Sequence, residues 1–282
     1  MDSDLQSWVG RTRVVEDEIG LTAVRRIAGM LDLDPEAFHP GLALPPHWFT
    51  MFFADIPRHA DLRPDGHPHG GLFLPPIPLP RRMGAGRRVR ILGVLRVGEA
   101  ASRTAEVAAI VPKQGRTGAI TVLTMRHTIR RGAEVVAVDE FDAVYREAVP
   151  PGTTSTATPP VPAPTDAAWS EAKRLDPALV FRYSAVTWNA HRIHYDADYA
   201  RQEEGYPAAV QNGGLTMQLL LDAAVRQTPA RLVGFTARLT RPVWVGDTVT
   251  LAGSPSRDGA ATAWVADRDG NLCAWLDLEF AP

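Results

Sequence analysis

The C-terminal part of the chain carries the clearest pattern of apolar and polar positions. Apolar residues dominate Leu215–Arg226, which predicts a largely buried helix, and a shorter helix is expected at Asp198–Glu204. The sequence Asp267-Arg-Asp-Gly-Asn271 has the Asp-Gly chemistry of a hairpin turn, so the residues on either side should pair as antiparallel strands. The expected strands in this part are Leu232–Leu239, Thr248–Ser254, Ala261–Asp267 and Ala274–Phe280.

The N-terminal part repeats this order with a weaker helical signal. Glu16–Leu33 carries apolar residues at helical spacing and predicts a helix. One helix followed by several strands, occurring twice, predicts a duplicated α+β unit in which each antiparallel sheet wraps around its helix. No helix of the first half is as apolar as Leu215–Arg226, so its helix is expected to be short or degenerate. The expected strands of the first half are Arg88–Arg96, Ala105–Pro112, Ala119–Ile129 and Glu134–Phe141.

A change of composition separates the two halves. Residues 149–165 are rich in proline, threonine and serine and show no apolar periodicity. Such a segment buries too little apolar surface to offset its ordering entropy, so it is expected to be an extended linker. We therefore expect a first domain at residues 1–148, a linker at 149–166 and a second domain at 167–282.

Composition narrows the classes of function. The 282 residues are 45% hydrophobic and 22% charged, as in globular proteins with a packed core. A net charge of −2 gives no electrostatic reason to expect a nucleic-acid partner. Cys273 is the single cysteine, which excludes an intrachain disulfide and a thiolate metal cluster. An acidic N-terminus and the lack of a run of about 20 apolar residues predict a cytoplasmic protein without a signal peptide or membrane span.

Candidate chemistry concentrates in two short segments of the second half. Asn189, His191, Arg192 and His194 fall within six residues, and Gln211-Asn-Gly-Gly-Leu215 opens the predicted long helix. A histidine exchanges a proton near neutral pH. Backbone N–H groups at a helix start can hold a carbonyl oxygen that gains negative charge. A base beside a glycine-rich helix entrance is the combination that thioester chemistry needs.

These segments belong to longer motifs. Asn189–Asp196 reads Asn-Ala-His-Arg-Ile-His-Tyr-Asp, and the first half contains Asp65-Gly-His-Pro68 and the proline-rich run Phe73–Met83. With these motifs the chain resembles the hotdog-fold acyl-thioester hydratases and dehydratases, the MaoC-like or hydratase-2 group. It is most similar to the two-domain subgroup that includes mesaconyl-C4-CoA and itaconyl-CoA hydratases. In the family signature Gly-Asp-x-Asn-Pro-Ile-His, His194 falls on the catalytic histidine and Asn189 on the catalytic aspartate.

The resemblance implies a tandem hotdog fold and reversible hydration of a short 2-enoyl-CoA to a 3-hydroxyacyl-CoA, with a C5 dicarboxylic acyl group favoured. His194 would carry out both proton transfers and Gly213 would hold the thioester oxygen. Asn189 would position water, because an amide donates and accepts hydrogen bonds but does not exchange a proton as a carboxylate does. Asp196 is expected to cap the next short helix, and Asn212 the long one. The expected substrate-binding residues are Arg192, His191, Tyr195, Gly214, Arg81 and Arg82.

Two other functions stay open at this point. One is an acyl-CoA thioesterase on the same fold, and the other is an acyl-thioester-binding protein without turnover. The acyl group, its attachment to CoA or to a carrier protein, and the direction of reaction are open as well. The proposed chemistry needs no metal and no cofactor, since CoA is part of the substrate. We expect a homodimer or another homo-oligomer.

Overall fold

Each half of the chain begins with a strand that leads into a helix of ten residues. The computed structural model describes residues 5–68, 73–115, 118–147 and 159–281, without the side chains at 81, 83 and 115. The first half contains β1 (Thr12–Glu18), α1 (Leu21–Met30), β2 (Arg81–Ile91), β3 (Ala100–Gly115), β4 (Gly118–Arg131) and β5 (Glu134–Arg146). The second contains β6 (Trp169–Arg174), α2 (Pro177–Val186), α3 (Ala197–Gln202), α4 (Gly213–Val225), β7 (Leu232–Leu239), β8 (Thr248–Gly253), β9 (Ala260–Ala266) and β10 (Leu272–Phe280).

The strands of the described residues form one sheet in the order β1-β3-β4-β5-β2-β7-β10-β9-β8-β6. Read from each outer edge, both halves have the same order: their first, third, fourth, fifth and second strands. β2 and β7 meet in the middle, where Arg87–Arg90 pairs antiparallel with Gly234–Ala237. The predicted duplication of an α+β unit is therefore confirmed, and the two units share a continuous sheet.

Helix α4 occupies the centre of the second half and packs on β7, β8 and β9. Leu215, Leu220 and Leu221 are fully buried on it, and each contributes about 2 kcal/mol of hydrophobic stabilisation. The predicted buried helix is confirmed, although it begins at Gly213 and ends at Val225. None of the helices in the described part of the chain is both long and apolar enough to cross a membrane.

The first half has no counterpart of α4 among its described residues. Between α1 and β2 these residues form three short 3-10 turns, Pro35–Ala37, Trp48–Met51 and His59–Asp61. Trp48 and Phe53 are 0% and 1% exposed and fill the core in place of helix residues. The described residues of the first half thus have only the short helix α1, in line with the expected short or degenerate helix.

The predicted helix Glu16–Leu33 is wrong in its first part. Thr12–Glu18 alternates between exposed and half-buried residues and pairs antiparallel with Ala100–Glu106 of β3. Strand pairing with a distant segment satisfies the backbone here, and it overrides the local helical spacing. Only Leu21–Met30 is helical.

The other strands lie where the pattern predicts them, with different ends. β3, β4 and β5 are longer than predicted. β2 begins at Arg81 instead of Arg88 and ends at Ile91 instead of Arg96, because the chain leaves the sheet where Leu92 N–H and Gly93 N–H share one carbonyl acceptor. β6 and α2 are not predicted at all.

The linker is only partly within the described residues, since 148–158 lie outside them. Its later part is not a free extended segment. The Val161 carbonyl accepts the Leu272 N–H at 2.8 Å, and the Ala163 N–H donates to the Gly270 carbonyl at 2.9 Å. This part therefore packs along the predicted hairpin turn, where Gly270 has the positive φ of 78° that such turns favour.

Candidate active site

His194 lies at the end of a 3-10 turn, Arg192–His194, and its imidazole has a fixed orientation. Its Nδ1 is 2.7 Å from the Val210 carbonyl oxygen. Because a carbonyl only accepts, Nδ1 carries the proton and Nε2 is left as a basic nitrogen. Burial lowers the pKa of His194, partly opposed by the Val210 carbonyl, so the ring is neutral at neutral pH. His194 is thus a base with the correct tautomer for taking a proton from water.

Asn189 shapes the loop that carries His194. It follows Trp188, which has a φ of +54°, and its N–H donates to the Ser184 carbonyl at 2.8 Å. Its Oδ1 accepts the His191 N–H at 3.0 Å. The Nδ2 group makes no hydrogen bond within the described ranges and is therefore available as a donor to water or substrate. The amide oxygen is used to hold the loop, so Nδ2 is the group left for positioning water, the role predicted from the sequence.

The first half contributes a turn to this site. The Asp65 carbonyl accepts the Arg192 N–H at 2.9 Å, and Gly66 has a φ of +85°. A Cβ atom on Gly66 would lie only 1.8 Å from the Ala190 carbonyl oxygen, so the two backbones touch. The sequence placed Asp65–Pro68 in a motif and left open whether His67 is a turn residue or part of a substrate vestibule, because nothing local shows that its turn docks on the other half.

Three imidazoles therefore stand in a row. The His67 and His191 rings are 4.0 Å apart, and the His191 and His194 rings 5.5 Å, measured between centroids. Burial, together with the charges that His67 and His194 would carry, lowers the pKa of His191 to about 3. Burial also lowers the pKa of His67, although Asp65 opposes it. All three rings are neutral at neutral pH, so His191 can line the pocket without competing for protons.

The glycine-rich helix entrance lies next to this row. Val210, which anchors His194, is followed within three residues by Gly213, the first residue of α4. A Cβ on Gly213 would come within 2.5 Å of Leu239 Cδ1, and a Cβ on Gly214 within 2.3 Å of the Tyr183 hydroxyl oxygen. The buried Tyr183 hydroxyl leaves no room for a side chain at Gly214, whereas at Gly213 the exposed Leu239 side chain would have to shift. The backbone N–H groups of both glycines lie at a helix N-terminus.

Buried polar groups surround this entrance. Gln211 and Asn212 are 3% and 2% exposed, and Gln211 Oε1 and Asn212 Nδ2 find no partner within the described residues. The predicted capping role of the Asn212 side chain is wrong, since its Oδ1 accepts from Ser184 Oγ at 3.4 Å instead. Burial raises the pKa of Tyr183 to about 12, so its hydroxyl remains a donor. Tyr183 was not predicted, because α2 itself was not.

The predicted arginines and Tyr195 have different surroundings. Arg192 pairs with Asp196 at 2.8 Å and lies 4.4 Å from the centre of the Tyr199 ring, an arrangement that favours a structural role. Asp196 caps α3 as predicted, accepting the Tyr199 N–H at 2.9 Å. Tyr195 is 62% exposed and could contact substrate only near the surface.

Arg82 is exposed and forms no ion pair with the described residues, and its charge contributes to the low pKa of His67. It therefore lies close enough to His67 for its charge to act on that ring. The side chain of Arg81 lies outside the described residues. The described residues contain no group of His, Cys, Asp and Glu arranged to hold a metal ion.

Comparisons with known proteins agree with this geometry. The model of the family named hydroxyacyl-thioester dehydratase type 2 matches residues 47–245. The mesaconyl-C(4)-CoA hydratase of Chloroflexus aurantiacus is 39% identical over 265 residues, which are 91% of each chain.

Solved structures agree on the fold. A MaoC-like dehydratase from Phytophthora capsici superimposes with a TM-score of 0.71 at 13% identity, over 100% of this chain and 99% of that one. A Mycobacterium tuberculosis protein with a double hotdog fold superimposes with a TM-score of 0.57 at 16% identity, over 96% of each chain. The predicted tandem hotdog fold is confirmed. Because the family model covers more than half of the sequence, this chain belongs to the hydroxyacyl-thioester dehydratase type 2 family of MaoC-like hydratases and dehydratases.

Proposed function

We propose that this hydro-lyase adds water to a short 2-enoyl-CoA that carries a second, free carboxylate, as mesaconyl-C4-CoA does. The observation that carries the proposal is the fixed His194 imidazole, whose anchor Val210 leads directly into the N-terminus of α4. The short connection between the two supports a reaction in which the base and the backbone N–H donors act on one substrate. The similarity to a mesaconyl-C(4)-CoA hydratase over 91% of both chains supports the acyl group.

The chemistry follows from these groups. In hydration, His194 Nε2 takes a proton from water while the water oxygen bonds to the β-carbon and the C=C electrons move onto the α-carbon and thioester oxygen. The Gly213 N–H, at the positive end of the α4 dipole, stabilises that oxygen as negative charge builds up. The imidazolium then returns the proton to the α-carbon. Asn189 Nδ2 orients the water, and dehydration is the same path reversed.

The CoA part of the substrate is assigned to arginine side chains, because its phosphates are negatively charged. CoA phosphates require cations near the site, and two exposed arginines, Arg63 and Arg82, act electrostatically on His67. Arg63 is paired with Asp65 at 2.9 Å, so we assign the CoA phosphates to Arg82. We include Arg81 for its position beside Arg82 on β2. The proposed reaction uses no metal and no other cofactor. Cytoplasmic location and self-association stay predictions from the sequence.

The test is to mix the purified protein with mesaconyl-C4-CoA, itaconyl-CoA and crotonyl-CoA. The absorbance of the conjugated thioester and the release of free thiol are followed in parallel. We expect absorbance loss without thiol release, and a fall of at least about 1,000-fold in kcat/KM for His194→Ala. Asn189→Asp tests whether the amide has a special role in orienting the water. If the rate and the pH profile stay unchanged, the amide has no such role.

Two outcomes would replace the proposal. Thiol release that depends on His194 would identify a thioesterase. Binding of the acyl-CoA thioesters without any turnover, with equal affinity for wild type and His194→Ala, would identify an acyl-thioester-binding protein.

A further inference from the structure

Ser184, near the end of α2, joins the loop that carries the candidate base to the start of α4. Its carbonyl accepts the Asn189 N–H at 2.8 Å, and its Oγ donates to Asn212 Oδ1 at 3.4 Å. Asn212 is also only two residues from Val210, whose carbonyl accepts from His194 Nδ1 at 2.7 Å. Asn212 is therefore held from both sides, between the base and the helix that would bind the thioester oxygen.

The Asn212 amide uses its oxygen and not its nitrogen. An asparagine before a helix usually turns Oδ1 toward the first N–H groups of that helix and caps them. Here Oδ1 faces Ser184, and no such cap forms. The residue is 2% exposed, and its Nδ2 finds no partner among the described residues. Because an unpaired buried donor is costly in free energy, Nδ2 favours binding of an acceptor atom from outside the chain.

The first backbone donors of α4 lie next to this amide. The first hydrogen bond of the helix runs from the Thr216 N–H to the Asn212 carbonyl at 3.1 Å. The N–H groups of Gly213, Gly214 and Leu215 precede it, and the described ranges of the chain supply no acceptor for them. One side-chain amide and three backbone N–H groups thus need an acceptor at one place. An oxygen that gains negative charge is what such a group of donors binds.

Two side chains limit the approach to these donors. At Gly214 the space is closed by the hydroxyl of Tyr183, which is buried. At Gly213 it is closed by the Cδ1 atom of Leu239, the last residue of β7. Leu239 is 39% exposed, so its side chain can turn toward solvent and admit a thioester. The accessible side of the helix entrance is therefore the side of Gly213, the residue that directly follows Asn212.

We propose that Asn212 Nδ2 is a second hydrogen-bond donor to the thioester oxygen, beside the Gly213 N–H, and hence a further catalytic residue. This inference rests on the proposed function and extends it, because it adds a side chain to the group that stabilises the oxygen. As water bonds to the β-carbon, the C=C electrons move toward the thioester oxygen, and both hydrogen bonds to it strengthen. No proton leaves the amide, and both bonds weaken again when the α-carbon is protonated. The benefit is therefore largest in the transition state and belongs to kcat.

Asn212→Asp is the main test, because it keeps the size of the side chain and the acceptor for Ser184 but removes the donor. A carboxylate at a helix N-terminus is favourable, so the thermal midpoint should not fall. The same charge repels the oxygen as it becomes negative. We expect kcat for mesaconyl-C4-CoA to fall about 100- to 1,000-fold, as on removal of one oxyanion donor, with a smaller change in KM. Asn212→Ala, which adds no charge, should lose about 100-fold.

The infrared band of the bound thioester carbonyl gives a readout that a merely structural role would not move. The probe is 3-carboxybutyryl-CoA with a ¹³C label in the thioester carbonyl, which is mesaconyl-C4-CoA with its double bond reduced. It has no double bond to hydrate, so it binds without turnover. Each hydrogen bond to the carbonyl lowers its stretching frequency. We expect a lower frequency in wild type than in Asn212→Ala.

Ser184→Ala and Thr187→Val are a matched pair that removes one hydroxyl each from the end of α2. Ser184 Oγ orients the Asn212 amide, whereas Thr187 Oγ1 donates to the Tyr183 carbonyl at 2.8 Å. We expect Ser184→Ala to lower kcat about 3- to 10-fold and to raise the carbonyl frequency part of the way. Thr187→Val should leave kcat within about 2-fold and the band in place. Equal losses in the two variants would contradict the role of the amide.

The outcomes separate this inference from the proposed function. A wild-type kcat in Asn212→Asp, or the same carbonyl frequency in wild type and Asn212→Ala, overturns the role of Asn212 and leaves the hydratase intact. A wild type that hydrates none of the enoyl thioesters overturns the proposed function and this inference with it. If Asn212→Asp fails to melt cooperatively, Asn212→Ala and the pair of α2 variants decide.

Discussion

The proposed reaction depends on the protonation state of one imidazole, that of His194. His194 is buried, donates through Nδ1 to the Val210 carbonyl and has a lowered pKa, so it is already a free base at neutral pH. For a histidine that must start unprotonated, activity rises as pH rises through its pKa and is then flat. We expect kcat/KM for hydration to stay constant as pH is lowered to the usual histidine pKa of about 6.5, and to fall only below that value. A pH–rate profile from pH 4.5 to 8 checks this, and an acid limb above 6.5 would contradict it.

His67 belongs to the other half and still acts on that pKa. Its charge, when present, disfavours a second charge on His194, so it contributes to the lowered value. We expect His67→Gln to move the acid limb of kcat/KM upward by roughly half a pH unit. His39→Gln is the control, because the His39 side chain is exposed and its one hydrogen bond to the described residues joins Nδ1 and the Pro40 carbonyl. An unchanged acid limb would mean that His67 supports the loop without tuning the base.

At the scale of elements, the docking of the Asp65–Pro68 turn is the sharpest steric constraint in the site. Gly66→Ala would bring its Cβ to 1.8 Å from the Ala190 carbonyl oxygen and push the two segments apart. A displacement of about 1 Å in a catalytic loop can cost about 100-fold in rate. We expect kcat/KM to fall by that order while the thermal midpoint falls only slightly.

The control for this substitution is Gly41→Ala. Gly41 has almost the same φ, +83°, but a Cβ there meets nothing within 4 Å. Both variants carry the same backbone strain, so only Gly66→Ala should lose activity. Equal losses in the two variants would show that backbone strain, and not contact with Ala190, is the cause.

Elements differ in how far local sequence predicts them. α4 and β7 to β10 were predicted because each has its own apolar period, which is a property of neighbouring residues. The end of β1, Glu16–Glu18, was predicted as helix because its strand character comes from pairing with β3. α2 was not predicted, although Asp176-Pro177 is a typical start of a helix. In the structure the Asp176 carboxylate caps α2 by accepting the N–H groups of Ala178 and Leu179.

At the scale of the whole molecule, a buried polar network fastens the first half to α4. The Asp222 carboxylate accepts His47 Nε2 at 2.8 Å, Trp48 Nε1 at 3.1 Å and Gln218 Nε2 at 2.9 Å. These donors, together with the charge that His47 would carry, lower the pKa of Asp222 against the opposing effect of burial. The loop that replaces a central helix in the first half is therefore tied to the central helix of the second.

We expect Asp222→Ala to lower the free energy of unfolding by about 3 kcal/mol, because it leaves buried donors on three side chains without an acceptor. Urea denaturation of the full chain measures this. Glu171→Ala is the control, since Glu171 forms an exposed pair with Arg226, the residue that follows α4, and should cost less than about 1 kcal/mol. Similar losses in the two variants would contradict a special role for the network.

By itself the sequence determined the duplicated α+β plan, the family, the candidate base His194 and the glycine-rich start of α4. These features follow from the spacing of apolar residues, from turn residues and from a contiguous motif, and each of these signals is contained within a short segment. Only the tertiary structure decided that His67 joins His191 and His194, and that Arg192 is paired with Asp196. Those contacts join residues far apart in the chain through strand register and backbone packing. No local pattern encodes register or packing, because both are set by the free energy of the whole fold.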